Sequence, residues 1–454
     1  MKKTLLLLLL SIFALSIFAQ PDSLLKKFKY RIDNLKALNF NFSGSSQFNE
    51  RDLGSGRQKN GASSGSLGAT YFITKSTDRI LLTGSASMNG IYLRSKAKDP
   101  TITNTNKSFF STPRVVVLNK WFAKNIFTEL GADISGDFFN SKETSTAIIS
   151  VLKNNQTQYA TELTMGIGKG RLENVTDMQN ALWLYKELIK VDRLGAILSA
   201  DDLLALGRSI TKGNNTRVLD SRKRTQFLLT TVDNYLQQKG AISKTDITYF
   251  SNLNDILFFA FNSPRFAGTE KFIRLTPSIK GSNINQVQNN GIDKFEHNFT
   301  SQSVILSSGF KKYKPVNLIH QNNYGASLKL AYISGDLTNR YFTNGIITNE
   351  IKGKTIIKQA GANLFYGHAI YPNTRTIINF NLQSEFGYQD INPENFYTAT
   401  NLFCGLNYFI SYRTRLNCNV SAYYQRNMYS IDRYVQVLPN TIQLSAAAGL
   451  EISL

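Results

Sequence analysis

The chain is poor in the residues that carry most catalytic and scaffold chemistry. Three of its 454 residues are histidine (His297, His320 and His368) and two are cysteine (Cys404 and Cys418). The histidines have no metal-pair spacing and no H-E-x-x-H occurs, which excludes the zinc-protease signature. There is no G-x-S-x-G elbow either. Two cysteines close at most one bridge, so a disulfide scaffold is excluded. Both fall on the apolar parity of their segments and read as small apolar side chains. Tryptophan is scarce, two residues against 30 Phe and 21 Tyr. Beyond the N-terminus no run reaches the ~20 apolar residues of a membrane-spanning helix. Acids are also short, 31 against 52 Lys and Arg, for a net charge of +21.

What is there begins at the N-terminus. Lys2 and Lys3 precede an apolar run from Leu5 to Phe18, broken only by Ser11 and Ser16, and Ala19-Gln20 offers a small residue for cleavage. This is the pattern of a secretory signal peptide, expected over residues 1–19. Residues 20–36 follow as a short segment.

The C-terminus carries the clearest signal. From Thr441 to Leu454 every even position is apolar (Ile442, Leu444, Ala446, Ala448, Leu450, Ile452, Leu454) and every odd one is polar or small. A period of two predicts one long strand with two unlike faces. Soluble strands average five or six residues, whereas a bilayer-crossing barrel strand needs about 9–11. The same alternation recurs, and predicts strands over 37–48, 64–74, 79–92, 108–122, 125–138, 157–168, 271–282, 297–311, 317–334, 355–370, 374–389, 396–410, 411–425 and 440–454. The strand at 108–122 has the weakest pattern, because Val115, Val116 and Val117 break the alternation. Alternate connections are short, such as Lys75 to Asp78, Ala123-Lys124 and Tyr371 to Asn373. The others read as long solvated loops, among them Glu50 to Ser63, Ser95 to Lys107, Asn140 to Gln156, Asp336 to Lys354 and Arg426 to Pro439.

Between Gly170 and Lys271 the two-residue period gives way to a helical one. Four helices are expected, near Asn180–Leu194, after a Ser199/Asp202 capping box, over Arg217–Lys239 closed by Gly240, and over Asp246–Phe261. About a hundred residues suffice for a small core of their own. The glycines of Gly166-Ile167-Gly168-Lys169-Gly170-Arg171 lack P-loop spacing, and read as the point where backbone leaves the wall.

The signal, the periodicity, the asymmetric connections and the C-terminal strand together resemble Gram-negative outer-membrane β-barrel proteins of no assigned family. Leu454 departs from that pattern, which usually ends in Phe or Tyr. The resemblance implies an all-β transmembrane antiparallel β-barrel of about 14 strands (12–16 fit), with an inserted α-helical domain. Its parts are a first barrel section at 37–170, a periplasmic helical insert at 171–271 and a second barrel section at 272–454. It further implies outer-membrane location, contact with outer-membrane lipid and lipopolysaccharide, and recognition of the C-terminal strand by the barrel-assembly machinery. No cofactor or metal and no enzymatic activity is expected. The basic balance alone would suggest nucleic acid, but no recognition motif accompanies it.

A channel or transporter for small polar or anionic solutes is the leading expectation. A non-conducting barrel whose insert docks a periplasmic protein or peptidoglycan is the alternative, and a barrel-embedded hydrolase stands third. For a pore, the inward parity selects Glu129, Asp133, Asp137 and Glu162 on one side and Arg274, Lys280, Lys329, Arg413 and Arg415 on the other. Such charges would either face each other across water and favour anions, or pair and cancel. For docking, Arg217, Arg222, Lys223 and Arg224 form a basic cluster in the insert, which otherwise reads as a solvated helix face.

Overall fold

Fourteen strands form one sheet in which every neighbour in space is the neighbour in sequence. The structure, a computed structural model, describes residues 23–52, 57–98, 102–146, 150–216, 221–259, 264–288, 292–390, 396–411, 414–426, 429–430, 436–437 and 440–452. The first half holds β1 (Ile32–Asp52), β2 (Arg57–Ser76), β3 (Ile80–Lys98), β4 (Thr103–Ala123), β5 (Ile126–Ser145) and β6 (Ser150–Asn174). The second holds β7 (Phe266–Gln288), β8 (Asp293–Pro315), β9 (His320–Thr343), β10 (Ile346–Asn373), β11 (Thr376–Gln389), β12 (Phe396–Ser411) and β13 (Thr414–Arg426). A two-residue hairpin, β14 (Tyr429–Ser430) with β15 (Gln436–Val437), precedes β16 (Thr441–Ile452), which pairs with β13. All pairings are antiparallel. This is an up-and-down antiparallel meander, the connectivity from which β-barrels are built.

Many of the expected long loops are instead strand. β1 and β2 stay paired out to Asp52↔Arg57, and β9 and β10 out to Thr343↔Ile346. Apolar side chains at these tips, such as Phe48, Tyr341, Ile346 and Ile347, are scattered among polar ones, so hydrophobic periodicity does not mark them, while their backbone still pairs. One turn was legible by other means. Asn344-Gly345 joins β9 to β10 with φ of 51° and 75°, and Asn-Gly is the pair that a tight hairpin with two positive φ values selects.

Register makes the two faces continuous. Met165, Leu275, Leu306 and Leu330 lie side by side across β6 to β9, and Leu382, Leu402, Ala422 and Leu444 across β11 to β16. The opposite face carries Asn, Ser, Thr and Gln. Lys120 of β4 reaches Glu270 of β7 at 2.7 Å. Strands three apart lie about 14 Å from each other in a flat sheet, so the wall curls toward its polar face. Among the described residues no ladder joins β1 to β16. Phe42 and Leu444, on those two strands, are 86% and 77% exposed.

Between β6 and β7 run α2 (Thr176–Lys190), α3 (Ala200–Asn215), α4 (Ser221–Gln238) and α5 (Ile247–Phe259). Ser199 caps α3 by accepting from the Asp202 amide, and the Asp202 carboxylate accepts in turn from the Ser199 amide. Leu184, Leu188, Leu206, Ile210, Leu236 and Leu253 are buried in their shared core. The N-terminal segment joins that core through Leu25 of the short helix α1 (Ser23–Lys27) and through Phe28. Gly170 (φ 93°) and Gly268 (φ 122°) face each other's strands where β6 and β7 leave the wall. A side chain at either would collide with the facing carbonyl, of Thr269 or Arg171.

Polar bonds tie this helical end to the rim. Arg31 pairs with Asp78 of the β2–β3 turn and Glu173 of β6, at 2.8 and 2.9 Å. Arg375 of the β10–β11 turn pairs with Asp255 of α5 at 2.5 Å. Arg265, wholly buried, donates to the carbonyls of Asn317, Leu318 and His320 at 2.5, 2.8 and 3.0 Å, and to the Gln321 amide oxygen at 2.8 Å. Replacing it strands several buried acceptors at once, so Arg265→Met is expected to cost on the order of 3 kcal/mol. Trp183 lies in the helical core, and its emission during denaturant unfolding reads that loss. An unchanged midpoint would contradict the role given to Arg265.

Candidate functional site: the concave face and the helical cap

The concave charges are built from pairs. Glu129 of β5 is buried and bonded by both arms of the Arg274 guanidinium, with Nη2 to Oε2 at 3.2 Å. Arg274 also reaches Glu270 at 3.2 Å. Lys120 lies 3.5 Å from Glu129 and 2.7 Å from Glu270. Phe122, Phe127 and Phe272 wall this quartet in, with Lys120 4.6 Å from the Phe127 ring and Arg274 3.9 Å from that of Phe272. Excluding water strengthens each attraction but raises the desolvation cost, so the pairs cohere only as a set.

Higher on the same face Asp133 accepts two bonds from Arg114, at 2.6 and 3.1 Å. Glu162 lies 3.7 Å from Lys280, and Arg415 pairs with Glu451. Asp137, Lys311 and Lys329 have no ion-pair partner among the described residues. Arg413 lies outside those residues.

The charges thus sort into local pairs instead of two opposed walls. Acids on β5 and β6 meet bases on β4 and β7, because the curl and long side chains bring them within reach before any field across the lumen is set up. Sequence reasoning missed Lys120, Arg114 and Glu270. The Val115–Val117 run hid the parity of β4, and Glu270 was assigned to the helical insert when it belongs to β7. Glu451 was visible as a polar-parity residue of the last strand.

In the helical cap Arg217 and the Arg222 side chain lie outside the described residues. Lys223 and Arg224 are exposed, and Arg224 donates to the Asn214 carbonyl at 3.3 Å. The buried polar centre of the cap was not foreseen. Asp177 of α2 accepts from Thr211 Oγ1 at 2.7 Å and Asn214 Nδ2 at 2.9 Å. Burial pushes its carboxyl up, only partly offset by those two bonds. Burial and the nearby Asp177 push Tyr30 up to about 12. Asp202 is held at about 2, first by Lys239 and then by Ser199. Asp246 is likewise held at about 2, first by Arg193.

The histidines do not converge with a nucleophile. His297 is buried and shares a hydrogen with Asn339 at 2.7 Å. His320 and His368 stack at 5.6 Å on the outer face. Among the described residues no three of His, Cys, Asp and Glu cluster to hold a metal.

No family model and no curated protein matches the chain. Solved structures resemble it weakly. One is the TodX monoaromatic hydrocarbon channel deltaS2 mutant, at 8% identity and TM-score 0.31 over 93% of this chain and 90% of that one. Another is the translocator domain of the autotransporter NalP from Neisseria meningitidis, at 8% identity and TM-score 0.23 over 95% and 92%. A third is the ferric yersiniabactin uptake receptor FyuA from Yersinia pestis, at 7% identity and TM-score 0.32 over 90% of this chain. This chain spans 62% of the length of that receptor. Likeness at this level says nothing about solute or partner. The architecture stands on the thirteen ladders of the sheet themselves.

The cap's carboxyls set a pH dependence of opposite signs. Asp177 binds its proton more tightly folded than unfolded. Its contribution therefore declines as pH rises from the ordinary value of 3.8 through the raised folded one. The contributions of Asp202 and Asp246 are present above 3.8 and are lost as pH falls toward about 2. Asp177→Asn is expected to flatten the decline on the alkaline side while leaving the acid limb in place. Denaturant midpoints from tryptophan emission between pH 2 and 8 check this, and parallel slopes in wild type and variant would refute it.

Proposed function

We propose that this chain is an outer-membrane β-barrel that passes small polar or anionic solutes, with its helical end in the periplasm. The observation that carries the reading is the division of the wall. A band of Leu, Ile, Val, Phe and Tyr covers the convex face across the strands, and Ser, Asn, Thr and Gln line the concave one. Lipid outside and water inside is the environment that stabilises both. On this reading residues 1–19 direct export and β16 engages the barrel-assembly machinery. The hairpin tips opposite the helices face lipopolysaccharide, with Lys96, Lys98, Lys107 and Lys142 along them.

Selectivity would follow the unpaired charges. Lys311 and Lys329 outnumber Asp137 on the concave face. Purified full-length protein in planar bilayers is expected to conduct with a reversal potential favouring chloride over potassium, and Lys329→Gln to weaken that preference. Cation preference in the wild type would overturn the assignment of solute charge.

A second reading draws on a separate observation. The quartet, its three phenylalanines and the helical cap close the wall toward the helical end, which suits a non-conducting barrel whose cap docks a periplasmic partner through Lys223 and Arg224. Absence of conductance, with capture of peptidoglycan fragments by the intact protein, would favour it. Either role requires β1 and β16 to meet in the bilayer, since an unpaired edge there costs several kcal/mol per group. Cysteines placed along β1 against one on β16, with Cys404 and Cys418 replaced, are expected to crosslink in membranes. Failure at every pairing would contradict a closed barrel.

A further inference from the structure

The convex face carries one feature that solute passage does not use. Lys169 of β6 and Lys271 of β7 are direct cross-strand partners, both exposed on the apolar face. Like charges placed opposite each other repel. Among the described residues neither lysine has a carboxylate within ion-pair reach; the acids of this end, Glu129 and Glu270, point to the concave face and are taken by Arg274 and Lys120.

Their depth is marked by their neighbours. One step further from the helices come Ile167 and Ile273, about half exposed in an apolar row. One step nearer the rim on the adjoining strands, Lys312 stands 5.7 Å from the Tyr324 ring, and Tyr324 pairs with Tyr366. Tyrosines at this level mark a membrane–water boundary.

From the two lysines a groove of about 640 Å³ runs across the wall. Its floor is made of small residues, Ser308, Ala326 and Ala362, between the larger Phe310, Leu328 and Leu364. It continues through Ser308, Leu328 and Ala362 into a second groove of about 1070 Å³ lined by Ala360, Phe386 and Tyr388. A cationic pair at headgroup depth thus opens onto a narrow apolar channel toward the membrane centre.

We propose that Lys169 and Lys271 bind the phosphate of an anionic glycerophospholipid of the periplasmic leaflet, with one acyl chain lying over Ala326 and Ala362. This rests on the membrane orientation proposed above. The committed occupant is a lipid because the phosphate-binding pair and the apolar groove are continuous, and a free phosphate would leave the groove empty.

The test uses the mature full-length protein in detergent, titrated with phosphatidylglycerol or phosphatidylcholine of the same acyl chains, with bound lipid counted by native mass spectrometry. An anionic-lipid preference of about thirty-fold is expected from two interfacial lysines. Lys169→Gln/Lys271→Gln is expected to abolish it, Lys169→Arg/Lys271→Arg to keep it, and millimolar inorganic phosphate to leave it intact. Ala362→Leu, which fills the groove without touching charge, is expected to lower occupancy of both lipids and supplies the test if the double Gln variant does not fold. No preference in the wild type, a preference that survives the double Gln change, lipid occupancy undiminished by Ala362→Leu, or displacement by inorganic phosphate would overturn the site. Integration of wild-type protein into vesicles is scored separately. A protein that integrates but shows no preference loses only this site, whereas one that enters no vesicle loses the membrane reading itself.

Discussion

Backbone pairing from strand to strand is the constraint on which everything else here depends. Each strand satisfies its polar groups only through its two neighbours, and side chains alternate strictly between faces. A slip of one residue in any ladder would therefore exchange the apolar and polar faces of that strand. Through the middle of the wall the register runs without such an exchange from Phe42↔Leu67 at one edge to Leu444↔Ala422 at the other, and the one-residue shifts lie near strand ends, as between Ile347 and Asn349. The convex groove, the concave ion pairs and the lysine pair are consequences of that register.

The helical cap depends on the same wall by a different route. Its core is an ordinary apolar one, but its position comes from guanidinium groups that reach turn carbonyls and turn carboxylates. Arg31, Arg265 and Arg375 anchor it to turns spread from β2–β3 to β10–β11. A body held at such widely separated points spans the mouth of the barrel. On the transport reading, a solute leaving by that end would meet the cap and then the quartet around Glu129. The same geometry explains why a transport reading and a docking reading both draw support from this chain.

Fold was legible in the sequence where the physical signal was local. The fourteen strands announced themselves through alternating faces, the C-terminal strand most clearly. The start of α3 was visible in Ser199 and Asp202, and the end of α4 in Gly240. Strand ends were less legible, because at the hairpin tips apolar and polar residues mix without a clear alternation while the backbone still pairs. The residues of the concave face were half legible. Parity identified Glu129, Asp133, Glu162 and Arg274 as facing inward, yet parity has no information about which partner each side chain meets.

By itself, then, the sequence determined which residues share the apolar face of the wall, which share the polar face and where the helical insertion falls, since these follow from periods of two and 3.6 along the chain. Only the tertiary structure decided that the inward acids are neutralised by Lys120, Arg114 and Arg274 instead of confronting a basic wall. Only it decided that Asp177 is buried, that Arg265 secures the cap, and that Lys169 and Lys271 stand together above a groove. Each of these is a meeting of strands or helices far apart in sequence, set by curl and register, and no local periodicity encodes such a distance.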